Sequence, residues 1–300
     1  MRKFKIALIL SLFSFLFSPI SALAHPDSLK VKIEKIIENT SGKIGVSVMD
    51  IESKDTLTLN NQIKYPMQSV YKFPLALAVL NQVDKGKLSL KQKIRLDKNN
   101  LIKNTWSPLR VKYSKVDTSI TLDEILNYTV SKSDNNGCDI LFNLVGGTKA
   151  VNRYIHNMGV TNISIAETEK EMHKAWDVQF KNWCYPNAMA QLLYKFYNGE
   201  ILSNDSRNYL MNIMINTVSG SNRIKGLLPQ GTVVAHKTGT SDTNKDGVTA
   251  ATNDAGIITL PNGHHVILVV FVSNSKDNDK IRNEVIAEIG KAVWDYYSTK

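Results

Sequence analysis

The sequence predicts an α+β fold in which one five-stranded antiparallel sheet is assembled from both ends of the chain. Apolar residues alternate with small or polar ones around residues 44–48 and 57–59, which predicts an early hairpin. Three more strand-like segments follow late in the chain, at residues 232–236, 255–260 and 266–272. Because a long helical segment separates the two groups, strands from both ends are expected to share one sheet flanked by helices.

Helical periodicity fills the middle of the chain and marks both of its ends. Apolar residues recur at helical spacing within residues 28–39 and again within about 279–297, so two terminal helices are expected to cover the sheet. Between the strand groups, residues 67–216 are expected to be mainly helical, and a site is expected in the cleft between the sheet and this insertion. The clearest helical pieces are residues 75–83, 122–130, 138–145, 150–158 and 188–197.

The composition is that of an ordinary globular protein. The 300 residues are 43% hydrophobic and 21% charged, with 16 Gly and 8 Pro, which excludes collagen-like, low-complexity and wholly disordered chains. The net charge of +10 comes from scattered lysines without stacking aromatic residues, which indicates a solvated basic face and no nucleic-acid partner. Two cysteines, Cys138 and Cys184, are too few for a disulfide scaffold, and no pairing between them is predicted.

The first 24 residues have the pattern of a secretory signal peptide. A basic start is followed by the apolar run 6–17 and by an A-x-A cleavage site at residues 22–24. We therefore expect export to the periplasm, or secretion if the host lacks an outer membrane, with no stable membrane association after cleavage. Residues 25–300 would then form a single domain. Its sheet part is expected at about 25–65 and 217–300, and its helical part at about 66–216.

Ser69 and Lys72 form the first candidate catalytic pair. They lie three residues apart at the start of an apolar helix, so the hydroxyl and the ammonium share one helix face. A serine becomes a good nucleophile only when a base takes its proton, and a desolvated lysine can serve as that base. The helix N-terminus also offers a backbone N–H to an oxyanion. The S-x-x-K pattern alone is weak, since it recurs at residues 273–276.

Two further short motifs supply polar groups. S-D-N at residues 133–135 lies between two helical pieces, where such residues also form caps and turns for purely local reasons. K-T-G at residues 237–239 follows a strand, and its glycine allows close approach of a ligand to the strand edge; a solvated strand end is the alternative. Each motif is modest alone. Their order, at a helix start, a helical loop and a late strand, is one that chance rarely produces.

Together the three motifs are those of class A serine β-lactamases and penicillin-binding proteins, and the sequence closely resembles a class A serine β-lactamase over essentially the whole chain after the leader. The resemblance implies a fold of the serine β-lactamase and penicillin-binding transpeptidase type, and hydrolysis of the β-lactam amide through an acyl-enzyme on Ser69. Lys72 would help to deprotonate Ser69, although the base for acylation is disputed in the family. Ser133 would pass a proton to the leaving nitrogen. Backbone N–H groups of Ser69 and Thr240 would form the oxyanion hole.

The resemblance also assigns the residues that bind substrate. A lysine, a threonine and an arginine would hold the carboxylate, and an asparagine would hold the side-chain amide. The arginine is Arg223, since no other occurs between Thr240 and Arg282; a surface ion pair is its alternative. Trp106 is expected either to line the entrance of the cleft or to pack against the fold. The residues expected at the substrate are Asn135, His173, Arg223, Lys237, Thr238, Gly239 and Thr240.

Glu169 is the candidate base for hydrolysis of the acyl-enzyme. The segment E-K-E-M-H at residues 169–173 occupies the place of the class A loop motif E-x-x-L-N. Fast hydrolysis needs a base that activates water, which penicillin-binding peptidases do without. Apart from the resemblance, an acidic run of this kind would be interpreted as a solvated loop.

Four positions around this loop depart from the common class A pattern, and they resemble the VEB and PER branch, whose members are typically extended-spectrum cephalosporinases. One replaces the Asn of the motif, two replace an Arg and an Asp whose salt bridge usually closes the loop, and one replaces an Asn that contacts the loop. In that order, these residues are His173, Glu167, Asn182 and Asp139. They leave the conformation of the 167–182 loop open.

The main alternative is a penicillin-binding D,D-peptidase, and a second is a β-lactam sensor or cell-wall binding protein that does not hydrolyse its ligand. Glu169 and the compact length favour hydrolysis over both. Small-molecule β-lactams are the expected partners, and a monomer is expected. No cofactor is expected, because the chain has no glycine-rich phosphate loop. No metal is expected either, since the six histidines show no H-x-H or H-E-x-x-H arrangement.

Overall fold

Strands from both ends of the chain pair in one sheet in the computed structural model, which describes residues 26–97, 100–114 and 118–299. The large sheet has five strands, all paired antiparallel, which confirms the predicted sheet. The proposed leader lies outside the described residues. Within them, the strands are Lys43–Asp50 (β1), Thr56–Leu59 (β2), Tyr65–Pro66 (β3), Lys93–Leu96 (β4), Thr118–Thr121 (β5), Ile163–Ser164 (β6), Trp183–Cys184 (β7), Val234–Thr240 (β8), Thr249–Thr259 (β9) and His265–Ser275 (β10). The order of the large sheet is β2-β1-β10-β9-β8.

Every helical segment predicted from periodicity is present, with ends shifted by a few residues. The described helices are Pro26–Ile37 (α1), Lys72–Asp84 (α2), Pro108–Lys112 (α3), Leu122–Ser131 (α4), Asn135–Val145 (α5), Gly147–Asn157 (α6), Glu169–Met172 (α7), Pro186–Tyr197 (α8), Asn204–Ile215 (α9) and Asp279–Ser298 (α10). Among these, none has both the length and the apolar character needed to cross a membrane.

The continuous apolar sequence of β10 follows from burial of both faces of the sheet. Leu268 and Val270 belong to the core that the sheet forms with α1 and α10. Val269 and Phe271 point the other way and belong to the core formed with α2 and α8. Because neither face meets water, the strand lacks the alternation of apolar and polar residues that a one-sided sheet shows.

The region expected to be mainly helical also contains short strands. β4 and β5 pair antiparallel, and the two-residue strand β7 pairs with β6 on one side and, on the other, with β3, which lies just before this region. Two residues are too few to show a period of two, so no pattern in the sequence could have indicated this small sheet.

The sheet strands are longer than predicted, and the extensions of β8 and β9 matter for the site. β8 continues to Thr240, so the K-T-G motif lies inside the strand rather than after it. β9 begins at Thr249, before the predicted start, and includes the fully buried polar residues Asn253 and Asp254.

Candidate active site

Ser69 lies in a 3-10 helix, Gln68–Tyr71, that continues directly into the apolar helix α2. Strand β8 passes close to this turn. A Cβ placed at Gly239 would lie 2.5 Å from the carbonyl oxygen of Met67 and 3.2 Å from the backbone nitrogen of Ser69. The glycine of K-T-G therefore permits close approach of the chain's own backbone, which sets β8 beside Ser69.

Lys72 is the centre of the polar cluster and is fully buried. Its Nζ lies 2.9 Å from the Ser69 hydroxyl oxygen and 2.5 Å from the Asn135 amide oxygen. It also lies 2.9 Å from the carbonyl oxygen of Ser133 and 3.0 Å from Oε1 of Glu169. A buried ammonium requires such partners, because an unpaired charge removed from water is strongly destabilising.

The S-D-N turn divides its residues between two roles. Asp134 caps α5, and its carboxylate accepts hydrogen bonds from the backbone N–H of Gly137 at 2.8 Å and of Leu109 at 2.6 Å. Burial raises the pKa of Asp134, and these hydrogen bonds oppose the rise. Ser133 adopts a left-handed φ of +57°. The capping interpretation thus holds for Asp134, whereas its neighbours Ser133 and Asn135 contact the buried lysines.

Lys237, on β8, is the second fully buried lysine of the cluster. Its Nζ donates to the Ser133 hydroxyl at 3.0 Å and to the Thr238 carbonyl oxygen at 2.8 Å. Burial lowers the pKa of Lys237 well below its usual value, and the charge of Lys72 lowers it further, while two carboxylates oppose the shift. Thr238 is placed by its hydroxyl, which lies 2.7 Å from that of Ser219.

Glu169 begins the short helix α7 within the loop 165–182, whose two ends are held by pairing of β6 with β7. Thr168 caps this helix through its hydroxyl, which accepts a hydrogen bond from the backbone N–H of Glu171 at 3.3 Å. The Glu169 side chain is buried and directed at Lys72.

Asp139 anchors the first turn of α7 from helix α5. Its two carboxylate oxygens accept the backbone N–H groups of Glu169 at 2.8 Å and of Lys170 at 2.9 Å. A carboxylate offers a separate oxygen to each N–H group, whereas an asparagine at this position would have to accept both bonds on its one amide oxygen. Burial raises the pKa of Asp139 to about 6, with the Lys170 N–H opposing the rise and the Glu169 charge adding to it.

Asn182 closes the loop, where an Arg–Asp salt bridge is usual. Its buried amide oxygen accepts from the backbone N–H of Ala166 at 2.8 Å and of Glu167 at 2.9 Å. Its amide nitrogen donates back to the Glu167 carbonyl oxygen at 2.8 Å. The Glu167 side chain instead pairs with Lys181 at 2.8 Å near the surface. A neutral amide therefore takes the place of the salt bridge at the loop neck, which is the point where residues 166–167 meet Asn182.

Two further contacts tie the loop to the cleft walls. The Gln68 amide nitrogen donates to the Gln179 amide oxygen at 2.5 Å. This bond joins the residue next to Ser69 to the C-terminal half of the 165–182 loop. His173 is exposed, with Nδ1 2.7 Å from the carbonyl oxygen of Glu169 and Nε2 3.3 Å from the Thr105 hydroxyl. Its ring thus bridges the loop to the opposite wall.

Arg223 reaches the end of β8 but is buried, and its donors are engaged by the protein. One terminal nitrogen donates to the Thr240 hydroxyl at 2.6 Å, and the other donates to the carbonyl oxygens of Asn253 at 2.8 Å and Gly239 at 3.1 Å. Nε donates to the Asn283 amide oxygen at 2.8 Å. The surface-ion-pair alternative is therefore wrong, and Arg223 meets the cleft through Thr240.

The cleft is a cavity of about 660 Å³. Trp106 stands at its edge with 66% of its surface exposed, and its indole N–H donates to the carbonyl oxygen of Lys132 at 3.0 Å. Of the two expectations for Trp106, lining the entrance is the one observed. Residues that line the cavity include Ser69, Trp106, Asn135, Glu169, His173 and Thr240.

The described chain also holds a group of potential metal ligands remote from the cleft residues, at the β1–β2 and β9–β10 turns. The ligand atoms of Asp50, Glu52 and His264 lie within 4.8 Å of one another. Glu52 already accepts the backbone N–H of His265 at 2.9 Å. No observation links this group to the site.

Six of the predicted site residues form one hydrogen-bonded cluster, and the others border it. Sequence reasoning missed the residues that position the cluster, since each contacts a segment far away in the chain. The cluster consists of Ser69, Lys72, Ser133, Asn135, Glu169 and Lys237. The missed residues are Gln68, Gln179, His236, Asn253 and Asp254.

Comparison with known proteins gives the same family along almost the whole chain. A model of the β-lactamase enzyme family matches residues 28–297. β-Lactamase VEB-1 of Pseudomonas aeruginosa is 46% identical over 295 residues, covering 98% of this chain and 98% of VEB-1. Extended-spectrum β-lactamase PER-1 of the same organism is 40% identical over 280 residues, covering 93% of this chain and 91% of PER-1. The crystal structure of TLA-1 extended-spectrum β-lactamase is 56% identical, with a TM-score of 0.89 over 91% of this chain and 99% of that one.

The chain therefore belongs to the β-lactamase enzyme family. Within that family it is a class A enzyme, a hydrolase that acts on β-lactams.

Replacing Asn182 by leucine should loosen the loop neck. The change leaves two backbone N–H groups and one carbonyl without their buried partner, and an unsatisfied buried group costs about 1–3 kcal/mol. We expect hydrogen–deuterium exchange in the 165–182 loop to accelerate by about tenfold or more. Lys181→Met, which breaks only the exposed pair with Glu167, is the control and should change exchange by less than about fivefold. Unchanged protection in Asn182→Leu would contradict this account of the neck.

Asp139→Asn should change how stability depends on pH. Because the folded-state pKa of about 6 lies above the ordinary 3.8, the folded protein binds this proton more tightly than the unfolded chain. The proton therefore adds stability as pH falls from about 6 to about 4, and its contribution is absent above that window. Between pH 7 and pH 4, the free energy of unfolding should shift in favour of the wild type over Asp139→Asn by on the order of 2 kcal/mol. Urea unfolding at both pH values measures this, and a constant difference would refute it.

Proposed function

We propose that this enzyme hydrolyses the β-lactam amide through an acyl-enzyme on Ser69, which is released by water that Glu169 activates. The observation that supports this most strongly is the position of Glu169. Its Oε1 lies 3.0 Å from the Lys72 ammonium, which is itself 2.9 Å from the Ser69 hydroxyl. A base joined to the nucleophile through one buried cation can serve both halves of such a reaction.

In acylation, the Ser69 hydroxyl oxygen attacks the lactam carbonyl carbon, and its proton passes to the Lys72–Glu169 pair. The backbone N–H groups of Ser69 and Thr240 are assigned to the oxyanion. When the C–N bond breaks, Ser133 gives its proton to the ring nitrogen. Ser133 then regains a proton from the cations beside it, so the proton taken from Ser69 ends on the leaving nitrogen.

In deacylation, water attacks the ester carbonyl while Glu169 takes one of its protons. The acyl–oxygen bond to Ser69 breaks, and the serine regains its proton from Glu169 as the ring-opened acid leaves. Burial of Glu169 beside Lys72 keeps this carboxylate close to the ester while the loop holds it in place.

Recognition of the substrate is assigned to groups on both walls of the cleft. Lys237 has neutral hydrogen-bond partners, so its ammonium suits the substrate carboxylate. The Thr238 hydroxyl would bind the same carboxylate, and Arg223 would act by orienting the Thr240 hydroxyl. The Asn135 amide nitrogen, now 2.8 Å from the Thr105 hydroxyl, would contact the side-chain amide. His173 would border the substrate at the loop.

We also propose that the mature enzyme is a periplasmic monomer, exported by residues 1–24, or a secreted one where the host has no outer membrane. The domain would comprise residues 25–300, with a sheet part and a helical insertion. A penicillin-binding D,D-peptidase and a non-hydrolysing sensor remain the alternative functions. No feature of the site favours them, because neither requires a buried carboxylate joined to Lys72.

The enzyme should hydrolyse oxyimino cephalosporins as well as simple penicillins. The cleft has a volume of about 660 Å³, and the relatives PER-1 and TLA-1 are described as extended-spectrum enzymes. We expect kcat/KM for an oxyimino cephalosporin to lie within about tenfold of the value for benzylpenicillin. Steady-state kinetics with both substrates measures the ratio. A cephalosporin value lower by about a thousandfold or more would rule out the extended spectrum.

Glu169→Gln should acylate and then stall, because Lys72 remains beside Ser69 to take its proton, whereas the amide cannot take a proton from water. With a chromogenic cephalosporin, we expect a stoichiometric burst, a stable mass adduct on Ser69, and turnover reduced by at least about 10²-fold. The wild type should turn over steadily without a lasting adduct, and Ser69→Ala should show neither burst nor adduct.

Glu171→Gln is the matched control, since Glu171 lies on the same short helix but pairs with Lys174 near the surface. It should retain turnover within about threefold of the wild type. Unchanged turnover in Glu169→Gln would remove Glu169 from the mechanism. A burst with a stable adduct in the wild type would instead indicate a peptidase or sensor.

A further inference from the structure

A buried histidine–aspartate pair lies beneath the end of the cleft where Lys237 and Thr238 are proposed to bind the substrate carboxylate. The proposed mechanism gives this pair no role. His236 and Asp254 are both fully buried. Nδ1 of His236 lies 2.9 Å from one carboxylate oxygen of Asp254 and 3.0 Å from the other. Since the carboxylate can only accept, Nδ1 carries the proton of this contact.

The pairing of β8 with β9 places His236 and Asp254 next to Thr238, which is proposed to bind substrate. Thr238 lies opposite Asp254, and His236 lies opposite Gly256, so the three side chains share one face of the sheet. A Cβ at Gly256 would lie 2.5 Å from the carbonyl oxygen of Ala235 and 2.6 Å from the Cβ of His236, so glycine permits the close approach of β8 and β9 at this point.

Asp254 also holds the segment that carries Arg223. One of its carboxylate oxygens accepts the backbone N–H of Ile224 at 3.2 Å. The neighbouring Arg223 guanidinium then spans the carbonyl oxygen of Asn253 and the hydroxyl of Thr240. The aspartate therefore fixes both the strand behind Thr238 and the arginine that orients Thr240.

The charge of Asp254 acts on each cation around this end of the cleft. Burial lowers the pKa of Arg223, Lys225 and Lys237, and the Asp254 carboxylate opposes the shift in all three. Lys237 also faces the charges of Lys72 on α2 and Glu169 on α7. Arg223 also faces the charges of Asp279 and Arg282 on α10.

We propose that Asp254, held in place by His236, is a positioning residue for recognition of the substrate carboxylate. It fixes the segment that carries Arg223 and the strand that carries Thr238. The proposal rests on the proposed function, since it assumes that Lys237 and Thr238 receive that carboxylate.

The test compares a chromogenic cephalosporin with its methyl ester, which lacks the carboxylate charge, in the wild type and in Asp254→Asn. Asparagine keeps an acceptor for the Ile224 N–H but removes the charge. The preference for acid over ester in kcat/KM should fall by about tenfold, mainly through a higher KM for the acid. The alkaline limb of kcat/KM for the acid should also move to lower pH, because Lys237 loses the carboxylate that raises its pKa.

Asp279→Asn is the matched control. It removes a carboxylate that also faces Arg223 but is exposed, and the acid preference should stay within about twofold of the wild type. If Asp254→Asn fails to fold by circular dichroism, His236→Leu serves instead. It leaves the charge but removes its Nδ1 donor, and the acid preference should again fall.

Equal losses for acid and ester, with an unmoved pH profile, would show that Asp254 only supports the fold and would overturn the proposal. A wild type that turns over the acid but does not prefer it over the ester would overturn the assumed carboxylate site, and the role of Asp254 with it. Absence of sustained turnover of the acid by the wild type would overturn the proposed function itself.

Discussion

The buried ammonium of Lys72 is the constraint on which the rest of the site depends. A charge without access to water is tolerated only when the fold surrounds it with acceptors, and here these come from three separate segments of the chain. The S-D-N turn, the turn that carries Ser69 and helix α7 must all be in place for the lysine to be paired. Folding of the helical insertion and of the loop is therefore coupled to assembly of the candidate site.

The sequence predicts the parts of this arrangement that depend on local pattern. Helix α2 is strongly apolar over most of its length, and strands such as β10 form continuous apolar segments, so their positions follow from the residues alone. The S-x-x-K, S-D-N and K-T-G motifs indicate which elements must meet. The sequence does not give the distances between these groups. The contact between Glu169 and Lys72 depends on how the 165–182 loop is closed, and the sequence of this loop departs from the usual family pattern.

The closure of that loop shows why some of the site escaped prediction. A salt bridge between distant residues can be anticipated from two opposite charges in the sequence. The uncharged amide of Asn182 instead closes the loop by hydrogen bonds to three backbone groups, which the sequence does not indicate. Likewise, the polar run Asn253 and Asp254 is typical of a loop, and only the pairing of β8 with β9 places it inside the sheet. In both cases the informative partner is backbone, which carries no sequence signal.

The two buried lysines differ in what they contact, and this difference separates their tasks. Lys72 contacts a carboxylate, so its charge is balanced within the protein, and it lies between the two groups, Ser69 and Glu169, that we propose exchange protons. The described hydrogen-bond partners of Lys237 are the hydroxyl of Ser133 and a carbonyl oxygen, both neutral. A buried cation with only neutral partners destabilises the free enzyme, and its pKa is lowered as a result. Binding an anion would offset that cost, so the charge of Lys237 would be most favourable once the substrate carboxylate that we propose for this position is bound.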